Sequence, residues 1–139
     1  MIVVIAGPTG VGKSKIAIEL AKKLDAEIIS ADAFQVYKYM NIGTAKVRED
    51  ETESIKHHMI DVYNVDSNID VKKYQEDARK ILNSLLLKNK NIIICGGTGL
   101  YIKALLYDYK FQEETLNNKY DNISLEELQK LLPKDSLVD

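Results

Sequence analysis

The sequence predicts an α/β protein with a parallel β-sheet and helices on both faces, and three observations carry that prediction. Short apolar runs suited to strands alternate with longer stretches whose apolar residues recur at three- and four-residue steps. Two of those runs lead directly into glycine-rich turns, Gly7 to Ser14 and Gly96 to Gly99. The 139 residues, 45% hydrophobic and 29% charged, are enough for one domain with its own core.

In chain order, Ile2, Val3, Val4, Ile5 and Ala6 form a continuous apolar run, which predicts a strand buried on both faces. Ile16, Ala17, Leu20, Ala21 and Leu24 then make the stripe of an amphipathic helix. Residues 27–30 read as a second strand ending at Ala31 and Asp32, and 33–46 as a loop punctuated by Gly43. Residues 47–56 are polar and read as a solvated surface segment. A third strand is predicted over residues 58–62. His57 and His58 are adjacent, and neighbouring strand residues face opposite ways, which favours separate packing roles over a shared metal. Tyr74, Ala78, Ile81, Leu82, Leu85 and Leu86 predict a helix over Val71–Leu87. Residues 91–95 read as a fourth strand and 100–107 as a helix. The reading divides the chain into a core over 1–109 and, over 110–139, a polar connection with the start of a helical region. In the latter, Ser124 and Glu127 have capping-box spacing ahead of Leu128, Leu131 and Leu132. Such a sheet looks incomplete, and its last strand is expected to present an open edge that invites self-association.

The segment Gly7-Pro8-Thr9-Gly10-Val11-Gly12-Lys13-Ser14 reads GxxxxGK[ST], the phosphate-binding loop, in its required place between a strand and a helix. Glycines let the backbone wrap closely round an anion. Successive amides form a nest at a helix N-terminus. Lys13 adds a point charge, and the Ser14 hydroxyl suits Mg²⁺. The fold class is therefore P-loop NTPase-like: a three-layer parallel sheet with flanking helices, truncated relative to a full example. Asp32 and Thr98 also follow strands, so both are expected beside the loop, beyond the C-terminal ends of the strands. Asp32 suits either a general base or a carboxylate that orders metal-bound water, and Thr98 either a substrate contact or a helix N-cap. Tyr37 and Tyr101 could stack on a base, with core packing expected for at least one. Cys95 reads as a buried small hydrophobe.

A net charge of -2 excludes an overall basic field for nucleic acid. No apolar run has membrane-spanning length, and the first run is strand-sized rather than a signal peptide. A lone cysteine fits a reducing, cytoplasmic setting.

The runs from Ile29 to Tyr37, from Met40 to Lys46, from His57 to Asp61 and from Gly96 to Tyr101 lie in an order that, through about Tyr107, resembles the tRNA dimethylallyltransferases, or tRNA isopentenyltransferases. The resemblance implies transfer of a prenyl group from dimethylallyl diphosphate to N6 of the adenosine 3′ of the anticodon. It implies that the phosphate loop holds the diphosphate, that Asp32 is the general base, and that Asp32, Ala33, Phe34, Gln35 and Thr98 contact tRNA, with Mg²⁺ as cofactor. The family's usual loop has alanine and serine at the positions of Gly10 and Val11; backbone contacts are expected to survive. Residues 92–95 lack a Walker B aspartate, against a nucleoside-triphosphatase. The alternatives are a small-molecule P-loop kinase or adenylate prenyltransferase, and a non-catalytic phosphate-binding fragment. The resemblance covers the first half of a full-length member, so the chain alone is expected to bind diphosphates without modifying tRNA.

Overall fold

The computed structural model describes residues 1–41, 43, 44, 46, 52, 54–107, 109–111, 124 and 127. The chain divides into two compact units, Met1–Tyr109 and Lys110–Asp139. In the first, the order is β1 (Ile2–Ala6), α1 (Lys13–Leu24), β2 (Ala26–Ser30), β3 (His57–His58), α2 (Val71–Leu87), β4 (Asn91–Gly96) and α3 (Gly99–Leu106). All strand pairs are parallel, and the sheet runs β1-β4-β2-β3.

Alternation along the strands sorts the core into two layers. Ile28, Ile93 and Cys95 pack on Ala17, Ile18 and Ala21 of α1, with Val3 and Ile5 of β1 against them. Ile29, Ile92 and Ile94 pack on Tyr74, Ala78, Leu82 and Leu85 of α2 and on Tyr101 and Leu105 of α3. The sheet thus separates α1 from α2 and α3. Asp70 caps α2 by accepting from the Lys73 amide at 2.7 Å, the role its short side chain favours. The Tyr74 ring stacks on Tyr101 with centroids 4.1 Å apart, and its hydroxyl donates to the Ser30 carbonyl at 2.9 Å.

Four expectations are corrected. The third strand is not 58–62 but His57–His58. Met59 and Asp61 take φ of +60° and +53°, left-handed values that end an extended strand. The chain re-pairs two residues later, where Tyr63 bridges Tyr37. β1 is not buried on both faces: Ile2 and Val4 are exposed because β1 is an outer strand. The last strand, β4, presents no open edge. It is paired on both sides, by β1 and β2, and the outer strands among the described residues are β1 and β3. The helix after β4 spans Gly99–Leu106, one residue earlier than predicted.

In the second unit, the Glu127 carboxylate accepts from the Ser124 amide and hydroxyl at 3.1 and 3.0 Å, and the Glu127 amide donates to Ser124 Oγ at 3.3 Å, the reciprocal pattern of a capping box. The leucines after it and residues 47–50 lie outside the described residues.

Candidate functional site

The phosphate loop leaves β1 and enters α1 through two left-handed glycines. Gly10 and Gly12 take φ of +85° and +87°, and a Cβ at either would meet nothing within 4 Å. Glycine is therefore needed there for backbone conformation rather than for space. Gly12 is also the N-cap of α1, so the first free amides of that helix open onto the loop. The Lys13 ammonium donates to the Pro8 carbonyl, which holds its charge at the loop.

Beside the loop, β2 and β4 end together. The Ala31 amide donates to the Cys95 carbonyl at 2.9 Å, and the Thr98 amide to the Ala31 carbonyl at 3.2 Å. A third bond crosses from the Ala33 amide to Thr98 Oγ1 at 3.1 Å. The approach is so close that a Cβ on Gly96 would lie 2.1 Å from the Ala31 oxygen. Gly97 in turn sits against the loop, where a Cβ would be 3.3 Å from the Gly7 carbonyl. The two glycine-rich turns and the exit of β2 are thus one backbone-packed assembly.

They enclose a cavity of about 270 Å³. Thr9, Gly10, Gly12, Lys13 and Ser14 line it from the loop, and Asp32, Gln35, Cys95 and Gly96 from the strand ends. Asp32 Oδ1 accepts from the amides of Phe34 and Gln35 at 2.9 and 3.2 Å. Those bonds fix the carboxylate, and no bond to Oδ2 is present among the described residues. Burial pushes the Cys95 thiol up; the nearby Lys13 charge pulls it down and that of Asp32 pushes it up again, so both charges bear on one sulfur.

Gln35 is held from two sides: its Oε1 accepts from Ser30 Oγ at 3.2 Å, and its Nε2 donates to the Thr44 carbonyl at 3.2 Å. The loop beyond it closes on Lys46, whose side chain is only 5% exposed. The Lys46 ammonium donates to the Tyr37 carbonyl and Asp61 Oδ1, both at 2.7 Å, and to Asn41 Oδ1 at 3.2 Å. Sequence reasoning gave Lys46 no part in this scaffold, because its acceptors are spread over twenty-odd residues.

The predicted site residues therefore divide. Thr9, Gly10, Gly12, Lys13, Ser14, Asp32 and Gln35 meet at the cavity. Gly7 and Pro8 support it through their carbonyls, and Val11 is 57% exposed. Ala33 packs against the core and Phe34 is 59% exposed. Thr98 stands at the N-cap position of α3 without a side-chain cap bond; its hydroxyl ties down Ala33 instead. Tyr101 is core, as its stacking on Tyr74 requires. Cys95 and Gly96 line the cavity and were not predicted to. Their position at the C-terminal end of a strand is the signal that could have found them.

His57 and His58 face opposite sides of the sheet. His57 Nδ1 donates to the Ile55 carbonyl at 2.8 Å, and burial holds its pKa below the usual histidine value. His58 Nε2 lies 2.6 Å from Glu27 Oε2. Among the described residues, no helix is long and apolar enough to cross a membrane.

Parallel sheet, strand–loop–helix turn and cavity at the strand ends define a protein of P-loop NTPase-like fold. The family model described as IPP transferase matches residues 35–137. The chain belongs to the IPP transferase family. It is 46% identical over 132 residues to a tRNA dimethylallyltransferase of Staphylococcus haemolyticus, covering 95% of this chain and 40% of that protein. A tRNA dimethylallyltransferase of Exiguobacterium sibiricum is 52% identical over 116 residues, covering 84% and 37%. Among solved structures, a tRNA isopentenylpyrophosphate transferase of Staphylococcus epidermidis superposes with a TM-score of 0.73 at 40% identity, covering 96% of this chain and 42% of that one. A eukaryotic dimethylallyltransferase described as acting on tRNA gives 0.75 at 29%, covering 96% and 32%. The chain thus spans about 40% of the length of the curated relatives it matches.

Proposed function

We propose that this chain is the diphosphate-binding and catalytic part of a tRNA prenyltransferase, which moves a dimethylallyl group from dimethylallyl diphosphate to N6 of the adenosine 3′ of the anticodon. The observation that carries the reading is the sharing of one cavity by Lys13, Ser14 and a carboxylate, Asp32, which among the described residues is anchored through Oδ1 alone. The relatives' names supply the substrates.

The chemistry asks for two things at once. An exocyclic adenine amine is a poor nucleophile, because its lone pair is delocalised into the ring. Asp32 takes the amine proton as the new C–N bond forms, and a placed base of this kind contributes about 10²–10⁴-fold. The allylic C–O bond breaks, and the diphosphate leaves onto Lys13 and the loop amides, which stabilise the developing charge. The Ser14 hydroxyl is a hard oxygen donor at the same cavity, which suits Mg²⁺. When bound there, Mg²⁺ would neutralise charge on the diphosphate. Phe34 and Gln35 stand beside Asp32 to meet the RNA, and Thr98 fixes the turn that presents them. A reducing, cytoplasmic setting goes with this reading. The named relatives do not favour a kinase.

The test is Asp32→Asn in a chain extended to the length of its relatives. Single-turnover transfer to tRNA is expected to fall by about 10²–10⁴-fold with diphosphate affinity unchanged. A rate near wild type would remove Asp32 as the base.

A further inference from the structure

A second cleft lies away from the phosphate loop, lined by the C-terminal half of α2 and by residues of β2 and β3. It has a volume of about 240 Å³. Lys80 and Ser84 of α2 and Lys88, its C-cap residue, line it at steps of four residues. Lys56 and His58 line it from β3 and the residue before it, and Glu27 from the second position of β2. Because the strands are parallel and Glu27 stands near the N-terminal end of its strand, this cleft is at the opposite end of the sheet from the phosphate loop.

The charges are unbalanced. Three ammonium groups face one carboxylate, in a chain whose overall charge is -2. That carboxylate is turned aside: Glu27 Oε2 is 2.6 Å from His58 Nε2, and both side chains are mostly buried. Among the described residues, the ammonium groups of Lys56 and Lys88 have no carboxylate partner. Lys80 is 3.2 Å from Asp77, yet its side chain is 74% exposed, so that pair is weak and easily redirected. Asp77 is already supplied by the Tyr63 hydroxyl at 2.8 Å and by Lys73 at 2.9 Å. The C-terminal dipole of α2 opposes an anion here, and three lysines more than offset a half-charge confined to one turn.

We propose that this cleft is a second anion site, one that takes phosphate groups. Lys56, Lys80 and Lys88 supply the charge, and Ser84 a hydroxyl donor. It goes beyond the reading of the phosphate-loop cavity and does not depend on it. Free diphosphate and the phosphodiester backbone of RNA share the chemistry it recognises.

The test uses the 139-residue chain carrying Lys13→Ala, which removes the strongest competing contact. Backbone amide resonances are followed by NMR while inorganic diphosphate is added. Saturable shifts at Lys56, His58, Ser84 and Lys88 are expected. Adding Lys56→Ala and Lys88→Ala should weaken them about tenfold to a hundredfold, the loss expected for charge-assisted contacts. Both lysines are exposed, and an unchanged melting curve verifies that the fold is intact. A short RNA hairpin forms the second arm. Displacement of diphosphate by the hairpin identifies phosphodiesters as the source, and diphosphate shifts without a hairpin response identify the free anion. Cleft amides that stay still with both probes, or that respond equally with and without the two lysines, would overturn the proposal.

Discussion

Replacing Gly96 by alanine tests the close approach of β2 and β4 that builds the cavity wall. The added Cβ would lie 2.1 Å from the Ala31 oxygen and 2.4 Å from its carbonyl carbon. Both are backbone atoms of a sheet paired on either side, so no side chain can swing away. Relief requires the two strand ends to part, which stretches the bonds from the Ala31 amide to Cys95 and from the Thr98 amide to Ala31. Overpacking of a core costs about 1–3 kcal/mol, and each lost hydrogen bond about 0.5–1.5 kcal/mol. A total of about 2–6 kcal/mol is a large part of the stability of an ordinary domain, about 5–15 kcal/mol. Urea denaturation measures it as a lowered midpoint at unchanged slope. Two neighbours serve as controls. Gly97→Ala meets one oxygen at 3.3 Å and should be mild; Gly99→Ala meets nothing within 4 Å and opens a helix, so it should be neutral or stabilising by up to about 1 kcal/mol. If Gly96→Ala were no less stable than Gly99→Ala, the close packing of these two turns would be wrong.

Lys13→Ala should weaken dimethylallyl diphosphate binding by calorimetry about tenfold to a hundredfold, the loss of one charge-assisted contact of ~1.5–3 kcal/mol; unchanged affinity would remove Lys13 from the site. Burial depresses the His57 pKa below its ordinary 6.5 in the folded state, so the unfolded chain binds the extra proton first and stability falls as pH drops below about 6.5. His57→Gln should flatten the fall in melting temperature between pH 7.5 and pH 5.5, relative to wild type, and an identical slope in both proteins would assign it to other groups. Lys46→Met should loosen the 37–61 loop at a cost near the low end of ~1.5–3 kcal/mol, since Asp61 is half exposed. Limited proteolysis would show this as faster cleavage between those residues, and equal rates would count against the clamp.

Local pattern carried much of this architecture. The α2 limits follow from the spacing of Tyr74, Ala78, Leu82 and Leu85, and the phosphate loop from its own glycines and lysine. What local pattern could not supply was neighbourhood. An apolar run such as Ile2–Ala6 reads the same in the middle of a sheet as at its side, and only the strand order exposes Val4. Thr98 has the sequence context of a helix cap, and its hydroxyl is diverted to Ala33, 65 residues away. Lys46 reads only as the end of a loop, and its three acceptors, Tyr37, Asn41 and Asp61, appear only once the chain is folded. The third strand was misplaced because His58 to Val62 is extended in composition, while Met59 and Asp61 are left-handed in conformation.

The central position of β4 also bears on how the chain acquires its structure during synthesis. β1 and β2 do not pair with each other; both pair with β4, with Ile2 opposite Ile92 and Ile28 opposite Ile93. The two earlier strands therefore have no common partner until Asn91–Gly96 leaves the ribosome. At about 5–20 residues per second, that leaves Ile2–Ala6 waiting for several seconds. Such long closures precede any reward from packing and make folding slow. The cavity wall then arrives in one step, because the residues that complete the sheet run straight on into Gly97 and Thr98. A nascent chain released before Asn91 would carry the whole phosphate-loop motif on a β1 with no strand to pair with.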